Sequence, residues 1–269
     1  MSSELFEIYQ KEKYLDWHKN NVENRPLEKF LMEFRENLKD TSEDKIKTLG
    51  QLLTQIKQRT EPECKLQSKG MLSGEFELPT KQFSRMNSQE NYDLLFKSID
   101  SIIEKCWRKN VTLKSDFVSS ENITKEISDL IRTSVVCPTL LHAKMFAERF
   151  EAWEDFIPKE DLDKHFSDIS RIIVDKEAKP ASGYFAYHAQ VFFSSEISIE
   201  VQLFSQLSSA WRNLAHKLYE TSRIKASPFN VPGSPETRLI SLGHMLHLAE
   251  CELDRLAFEL KDKFNNTSS

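Results

Sequence analysis

The stretch Lys179-Pro-Ala-Ser-Gly-Tyr-Phe-Ala-Tyr-His188, followed by the link Ser194-Ser195-Glu196 and then Ile197-Ser-Ile-Glu-Val-Gln-Leu-Phe204, carries the reading of this chain. From Ile197 onward the residues alternate: Ile197, Ile199, Val201 and Leu203 face one way, and Ser198, Glu200, Gln202 and Phe204 the other. That is the period of a half-buried strand. On the preceding run, Tyr184–Phe193, Tyr184, Ala186, His188 and Gln190 share a face, and the link between the two runs has hairpin length. Pairing them brings a carboxylate (Glu200), an amide (Gln202), an imidazole (His188) and a phenol (Tyr184) onto one side of a sheet. A solvated sheet face would carry the same alternation.

Working outward, residues 132–137 (Arg-Thr-Ser-Val-Val-Cys) form a short β-branched run that Pro138 stops. Asp129 stands just before it, at a strand–loop junction where functional side chains often sit. Leu140 to Phe150 reads as a helix, Arg171–Asp175 as a further strand, and 206–220 as a helix covering the sheet. In the N-terminal part, Leu27, Phe30, Leu31, Phe34 and Leu38 form one helical stripe. Ile46, Leu49, Leu52, Leu53 and Ile56 form a second, opened by the cap candidates Thr41 and Ser42. Arg59 to Glu90 loses periodicity and reads as a long loop. A third helix carries Leu95, Ile99, Ile102, Ile103 and Cys106. After the Pro/Ser-rich stretch Ser227–Pro235 a last helix follows, with the stripe Leu239, Leu242, Leu246, Leu253, Leu256 and Leu260. The expected architecture is α+β: a mixed, mostly antiparallel sheet of four to five strands covered by helices, with helical extensions at both ends. Its divisions are 1–90 (helices and loop), 91–222 (α/β core) and 223–269 (linker and final helix).

The composition excludes several classes. The chain has 269 residues, 39% apolar and 29% charged, with 18 Phe; such a chain has the apolar mass for a packed core and is not disordered. The six glycines build neither GxGxxG nor GxxxxGK[ST], so a nucleotide would have to be held by side chains. No apolar run reaches the length of a membrane span and no signal peptide is seen, which gives the expectation of a cytoplasmic protein. Cys64, Cys106, Cys137 and Cys251 lack a CxxC pair and read as reduced thiols, Cys137 as a buried one. A net charge of −5 argues against bulk nucleic-acid packaging. His244, His247 and Cys251 lie at helical spacings that suit either metal ligation or ordinary packing beside the leucine stripe.

In order, Ile127-Ser-Asp-Leu-Ile131, Val135-Val-Cys-Pro138, Lys179 to His188, Ile199 to Leu203 and Trp211-Arg-Asn-Leu-Ala-His-Lys-Leu-Tyr219 resemble the RelA/SpoT synthetase domain over about residues 110–222. The Lys-Pro-x-Ser-Gly-Tyr…His segment followed by Glu-x-Gln is the specific part. The resemblance implies a nucleotidyltransferase-like fold and a small, synthetase-only member, since no His-Asp pair of a hydrolase domain is present. It implies transfer of pyrophosphate from ATP to the 3′-hydroxyl of a guanine nucleotide, or of a tRNA 3′ end as in the toxic branch. Carried over, Asp129 and Glu200 would hold Mg²⁺, with Glu200 also the candidate general base. Tyr184 would stack on the acceptor base, Lys179 and Lys114 would meet phosphate, and Gln202 and His188 would orient the acceptor. A homo-oligomer and an antitoxin-like protein partner belong to the same expectation.

The chain departs from the family at Ser134, Phe185 and Phe204, where Arg, Arg or Gln, and Arg are usual. The family's Arg-x-Lys-Ser segment has Thr112-Leu-Lys-Ser115 as its nearest fragment, with Lys69 and Arg108 as other cations. The Lys105, Arg108, Lys109, Lys114 group suits RNA backbone contacts or a solvated helix end. Three readings follow: a pyrophosphokinase with altered phosphate contacts, a fold that has lost catalysis and binds a nucleotide or a partner as a regulator, and a different nucleotidyl chemistry. Cations lining the cleft between Asp129 and Glu200 would favour the first; a cleft plugged by Phe204 would favour the second.

Overall fold

The computed structural model describes residues 8–67, 70, 72, 74–113, 115–175, 182–225 and 231–266. Its elements are helices α1 (Lys11–Asn21), α2 (Leu27–Gln67), α3 (Gln89–Asp93), α4 (Ile99–Thr112) and α5 (Ile123–Glu126); strand β1 (Ile131–Cys137); helices α6 (Leu140–Glu151), α7 (Trp153–Phe156) and α8 (Lys159–Asp161); strands β2 (Ile169–Asp175), β3 (Tyr187–Phe193) and β4 (Ser198–Ser205); and helices α9 (Gln206–Lys225) and α10 (Pro235–Asn266).

The sheet has the order β1-β4-β3-β2. β1 runs parallel to β4, while β4–β3 and β3–β2 are antiparallel, so the expected mixed, mostly antiparallel sheet is what the chain forms. The β3–β4 hairpin closes through the Ser194–Glu196 link as its length predicts. β3 begins at Tyr187 rather than Tyr184, because Gly183 takes a left-handed turn (φ +71°) just before it. β1 is an edge strand, and two isolated bridges cover it: Glu77 pairs with Val136 and Phe96 with Ile131. Those bridges protect an edge that would otherwise present unpaired amides.

One face of the sheet is apolar. Ile131, Val135, Ala189, Val191, Ile199, Val201 and Leu203 are buried there, and α6 packs over them while α2 packs on α6. A continuous cluster of buried apolar side chains runs from Tyr14 on α1 to Leu203 on β4.

The N-terminal expectations need correction. The two stripes lie on one helix, α2, of 41 residues, roughly 60 Å long at 1.5 Å per residue. Thr41 donates its hydroxyl to the Asn37 carbonyl, 2.9 Å away, and Ser42 is buried. The cap candidates are therefore interior positions. Leu38, Ser42, Ile46 and Leu49 follow one another at helical spacing, and burial of that face outweighs local capping preference. The helix also runs through Pro62 to Gln67, so the loop expected from Arg59 to Glu90 starts later, includes a 3₁₀ turn at Thr80–Gln82 and runs into α3 at its end.

The final helix differs too. Its buried positions among the described residues are Glu236, Gly243, Glu250 and Ala257, seven apart. The leucine stripe lies beside that face, and Leu253, Leu256 and Leu260 are exposed. Cys64, Cys106 and Cys137 are buried free thiols, as read for Cys137, whose thiol burial pushes well above its ordinary value. Among the described residues no helix is long and apolar enough to cross a membrane.

Candidate functional site

The face of the sheet away from α6 carries the site. Register places Arg132, Glu200 and Gln190 in one row across β1, β4 and β3, and Ser134, Gln202 and His188 in the next. The alternation on β4 thus predicts which side chains converge, and the hairpin pairing brings them together. Gln202 donates to Glu200 Oε1 at 2.5 Å. His188 Nδ1 lies 3.7 Å from the same oxygen, an ion-pair separation rather than a hydrogen bond. The Tyr184 hydroxyl is 3.0 Å from His188 Nε2. Burial raises the Glu200 carboxyl, but His188 and the Gln202 bond outweigh it and hold it below the usual carboxylate range. Burial also pushes the Tyr184 phenol up, so it stays protonated.

Asp129 sits at the loop–strand junction ahead of β1. Lys97 Nζ is 2.7 Å from Oδ2 and Lys105 Nζ is 2.6 Å from Oδ1. Burial raises this carboxyl, yet the two ammonium groups dominate and hold it at about 2. Burial lowers the Lys97 ammonium, which Asp129 only partly offsets. The chain places Lys97 there through its backbone: Lys97 N–H donates to Leu130 O at 2.9 Å, and Arg132 N–H to Leu95 O at 2.8 Å. α4 starts immediately afterwards, capped by Ser98, and carries Lys105 to the same carboxylate.

Two of the three departures are compensated nearby. Ser134 stands where an arginine was expected, but Arg132 projects from the same face of β1 opposite Glu200. Its charge acts on Tyr184, Lys97 and Arg212. Phe204 shares the face of β4 that carries Glu200 and Gln202. It is buried at the end of β4, with the edge of Tyr184 against it at 5.9 Å and the Arg212 guanidinium 4.8 Å above its ring. Arg212, from α9, donates to Gln202 Oε1 at 3.0 Å. Phe185 points away from these groups and stacks on His247.

Of the sequence-predicted residues, Asp129, Tyr184, His188, Glu200 and Gln202 are brought together. Lys179, Lys114 and Lys69 lie outside the described residues. Sequence reasoning missed Lys97, Arg132 and Arg212. The signal for Lys97 was a second Lys-Ser pair, Lys97-Ser98, nearer in space to Asp129 than its position suggests. The signal for Arg132 was the period of β1 itself. The RNA-contact reading of the basic cluster is weakened because its three described members are paired: Lys105 with Asp129, Arg108 with Glu104 and Lys109 with Glu126. His247 and Cys251 approach to 3.7 Å, the described residues contain no group of three or more metal-ligating side chains, and the two histidines meet the Phe185 ring while Cys251 is exposed.

No protein-family profile matches the chain, and no curated protein matches it. Among solved structures it is similar to small alarmone synthetase 1 from Bacillus subtilis: 19% identity, TM-score 0.43, covering 62% of this chain and 77% of that one. The same synthetase bound to its product pppGpp gives 19% identity and TM-score 0.42, covering 61% and 76%. A GTP pyrophosphokinase family protein from Streptococcus pneumoniae gives 18% and 0.41, covering 62% and 74%.

Proposed function

We propose that the chain is a 3′-pyrophosphokinase that moves the β,γ-diphosphate of ATP to the 3′-hydroxyl of a guanine nucleotide. The observation that carries this reading is the gathering of Lys97, Lys105, Arg132 and Arg212 around Asp129 and Glu200 on one polar sheet face. Four cations against two carboxylates suit a polyanionic ligand, and phosphoryl transfer is catalysed mainly by positioning and charge neutralisation. With no glycine-rich loop, side-chain cations must do the neutralising.

Each residue has a role in the transfer. The acceptor 3′-oxygen forms a bond to the β-phosphorus, the bond from that phosphorus to the α,β-bridging oxygen breaks, and AMP leaves. Glu200, ionised and within reach of His188 and Gln202, takes the hydroxyl proton. Tyr184 offers a ring on which a base stacks, worth about 1–3 kcal/mol. The donor set fits Mg²⁺ in kind, since Asp129 and Glu200 supply hard oxygens. Asp129 and Glu200 are the residues that would hold the ion, and Lys97 and Lys105, which engage the two Asp129 oxygens, are the cations beside them. Mg²⁺ would supply neutralisation of charge on the phosphates.

The test is incubation with γ-labelled ATP, Mg²⁺ and GDP, GTP or deacylated tRNA. Label is expected on a guanine nucleotide, and Glu200→Gln should reduce transfer by about 10²–10⁴-fold while leaving the thermal midpoint nearly unchanged. Label on tRNA alone would move the acceptor to the toxic-branch alternative. No label on any acceptor from folded protein would leave the non-catalytic nucleotide-binding reading.

A further inference from the structure

The loop that presents Tyr184 is clasped by the C-terminal helix. A Cβ on Gly243 would fall on the Gly183 carbonyl oxygen, and a Cβ on Gly183 would lie 2.6 Å from the Ile240 carbonyl oxygen. Two backbones therefore pack directly where α10 crosses the turn, and only glycine fits on both sides. On the next residue but one, the Phe185 ring stacks on His247 with centroids 3.7 Å apart and planes 4° from parallel, and the edge of His244 meets it at 5.6 Å. A third fixing point lies beside them. Trp211 Nε1–H donates to Leu239 O at 2.8 Å, and its ring is 6.2 Å from that of Tyr184. Tyr184 lies between residues held by α10 and turns its own ring to His188 and Phe204.

We infer that α10 is the positioning element of the acceptor side of the site, with Gly243 and His247 as positioning residues that act through Tyr184. The inference rests on the reading of Tyr184 as the base platform. Lys97, Lys105 and Asp129 depend instead on α4 and the β1 edge, so the donor side stands independently of α10. Disturbing α10 should therefore weaken acceptor binding and leave the donor alone. A purely structural helix would affect both.

The experiment compares Gly243→Val, His247→Ala, His247→Phe and Glu252→Ala in the full chain. Glu252 is exposed on the same helix and serves as control. Backbone hydrogen exchange is followed in 183–188 and in 129–137, and calorimetry measures GDP and a non-hydrolysable ATP analogue. Gly243→Val and His247→Ala are expected to speed exchange in 183–188, and to weaken GDP binding about tenfold, the scale of one lost stacking contact. The ATP analogue and the 129–137 segment should keep wild-type behaviour. His247→Phe preserves the stack and should behave as wild type, as should Glu252→Ala. Equal weakening of both nucleotides, or unchanged exchange in 183–188, would overturn the inference. If Gly243→Val does not fold, the His247→Ala and His247→Phe pair decides. If wild-type protein binds neither nucleotide, the pyrophosphokinase reading falls, and the exchange comparison alone decides whether α10 positions Tyr184.

Discussion

Asp129 is held by two ammonium groups, and both lose their partner if its charge is removed. Lys97 is the more exposed to this loss in energy terms, since it is buried and an unpaired buried cation is costly. Its sequence position suggested a carboxylate poised for chemistry; the structure makes it a structural ion pair as well. Asp129→Asn should lower stability by about 2 kcal/mol at neutral pH, the linkage value for a carboxyl held near 2. The sign follows from the depressed value: this stability is present above the ordinary carboxylate range and is lost as pH falls from about 4 toward 2. Chemical denaturation across that range should show a flatter acid limb for the variant than for wild type.

At the scale of the element, α10 docks through positions seven apart, and two of them, Glu236 and Glu250, are carboxylic acids. Glu250 is buried, accepting from the Ser205 hydroxyl at 2.8 Å. Burial raises it, with Asp254 adding to the effect and Ser205 and Ser208 opposing it. A raised carboxyl contributes stability that is complete below its ordinary range and is lost as pH rises through the folded value. Replacing it with a neutral isostere removes that loss while Oε1 still accepts from Ser205. Glu250→Gln should therefore raise the thermal midpoint at pH 7–8 by about 2–4 °C, the effect of roughly 1 kcal/mol in a chain of this size. The gain should shrink at pH 5. The same helix shows why its leucines misled: the 3–4 spacing of Leu242, Leu246, Leu253, Leu256 and Leu260 marks an apolar seam, but which neighbouring face meets the body is set by Gly243 and Ala257, where close approach is sterically open.

Across the whole molecule, α6 is the middle layer between the sheet and α2, and His142 lies within it. His142 is buried, and neither ring nitrogen finds a hydrogen-bond partner among the described residues. Burial lowers its pKa, so it contributes stability above the ordinary histidine range that is lost as pH falls and the unfolded chain takes up the proton first. His142→Leu should narrow the difference in thermal midpoint between pH 8 and pH 5. It should also stabilise the protein at pH 8 by about 1 kcal/mol, because unpaired buried polar atoms cost roughly that much or more.

The sequence by itself determined the strands and the polar set on them. The period-two alternation from Ile197 to Phe204 admits one burial pattern, and the hairpin link fixes its partner, so Glu200, Gln202 and His188 were legible before any coordinates. Asp129 and Tyr184 were legible through their motifs. Tertiary structure alone decided which cations serve them. Lys105 and Arg212 come from helices whose own periodicity says nothing of a sheet face, Lys97 from the segment ahead of α4 that bonds to the Leu130 carbonyl, and Arg132 gains its place from the parallel register of β1 against β4. It also decided that α2 is one helix, because burial of a shared face over its whole length outweighs the local capping preference of Thr41 and Ser42. Local periodicity encodes which face an element buries; what that face meets is encoded only in the packing of the whole.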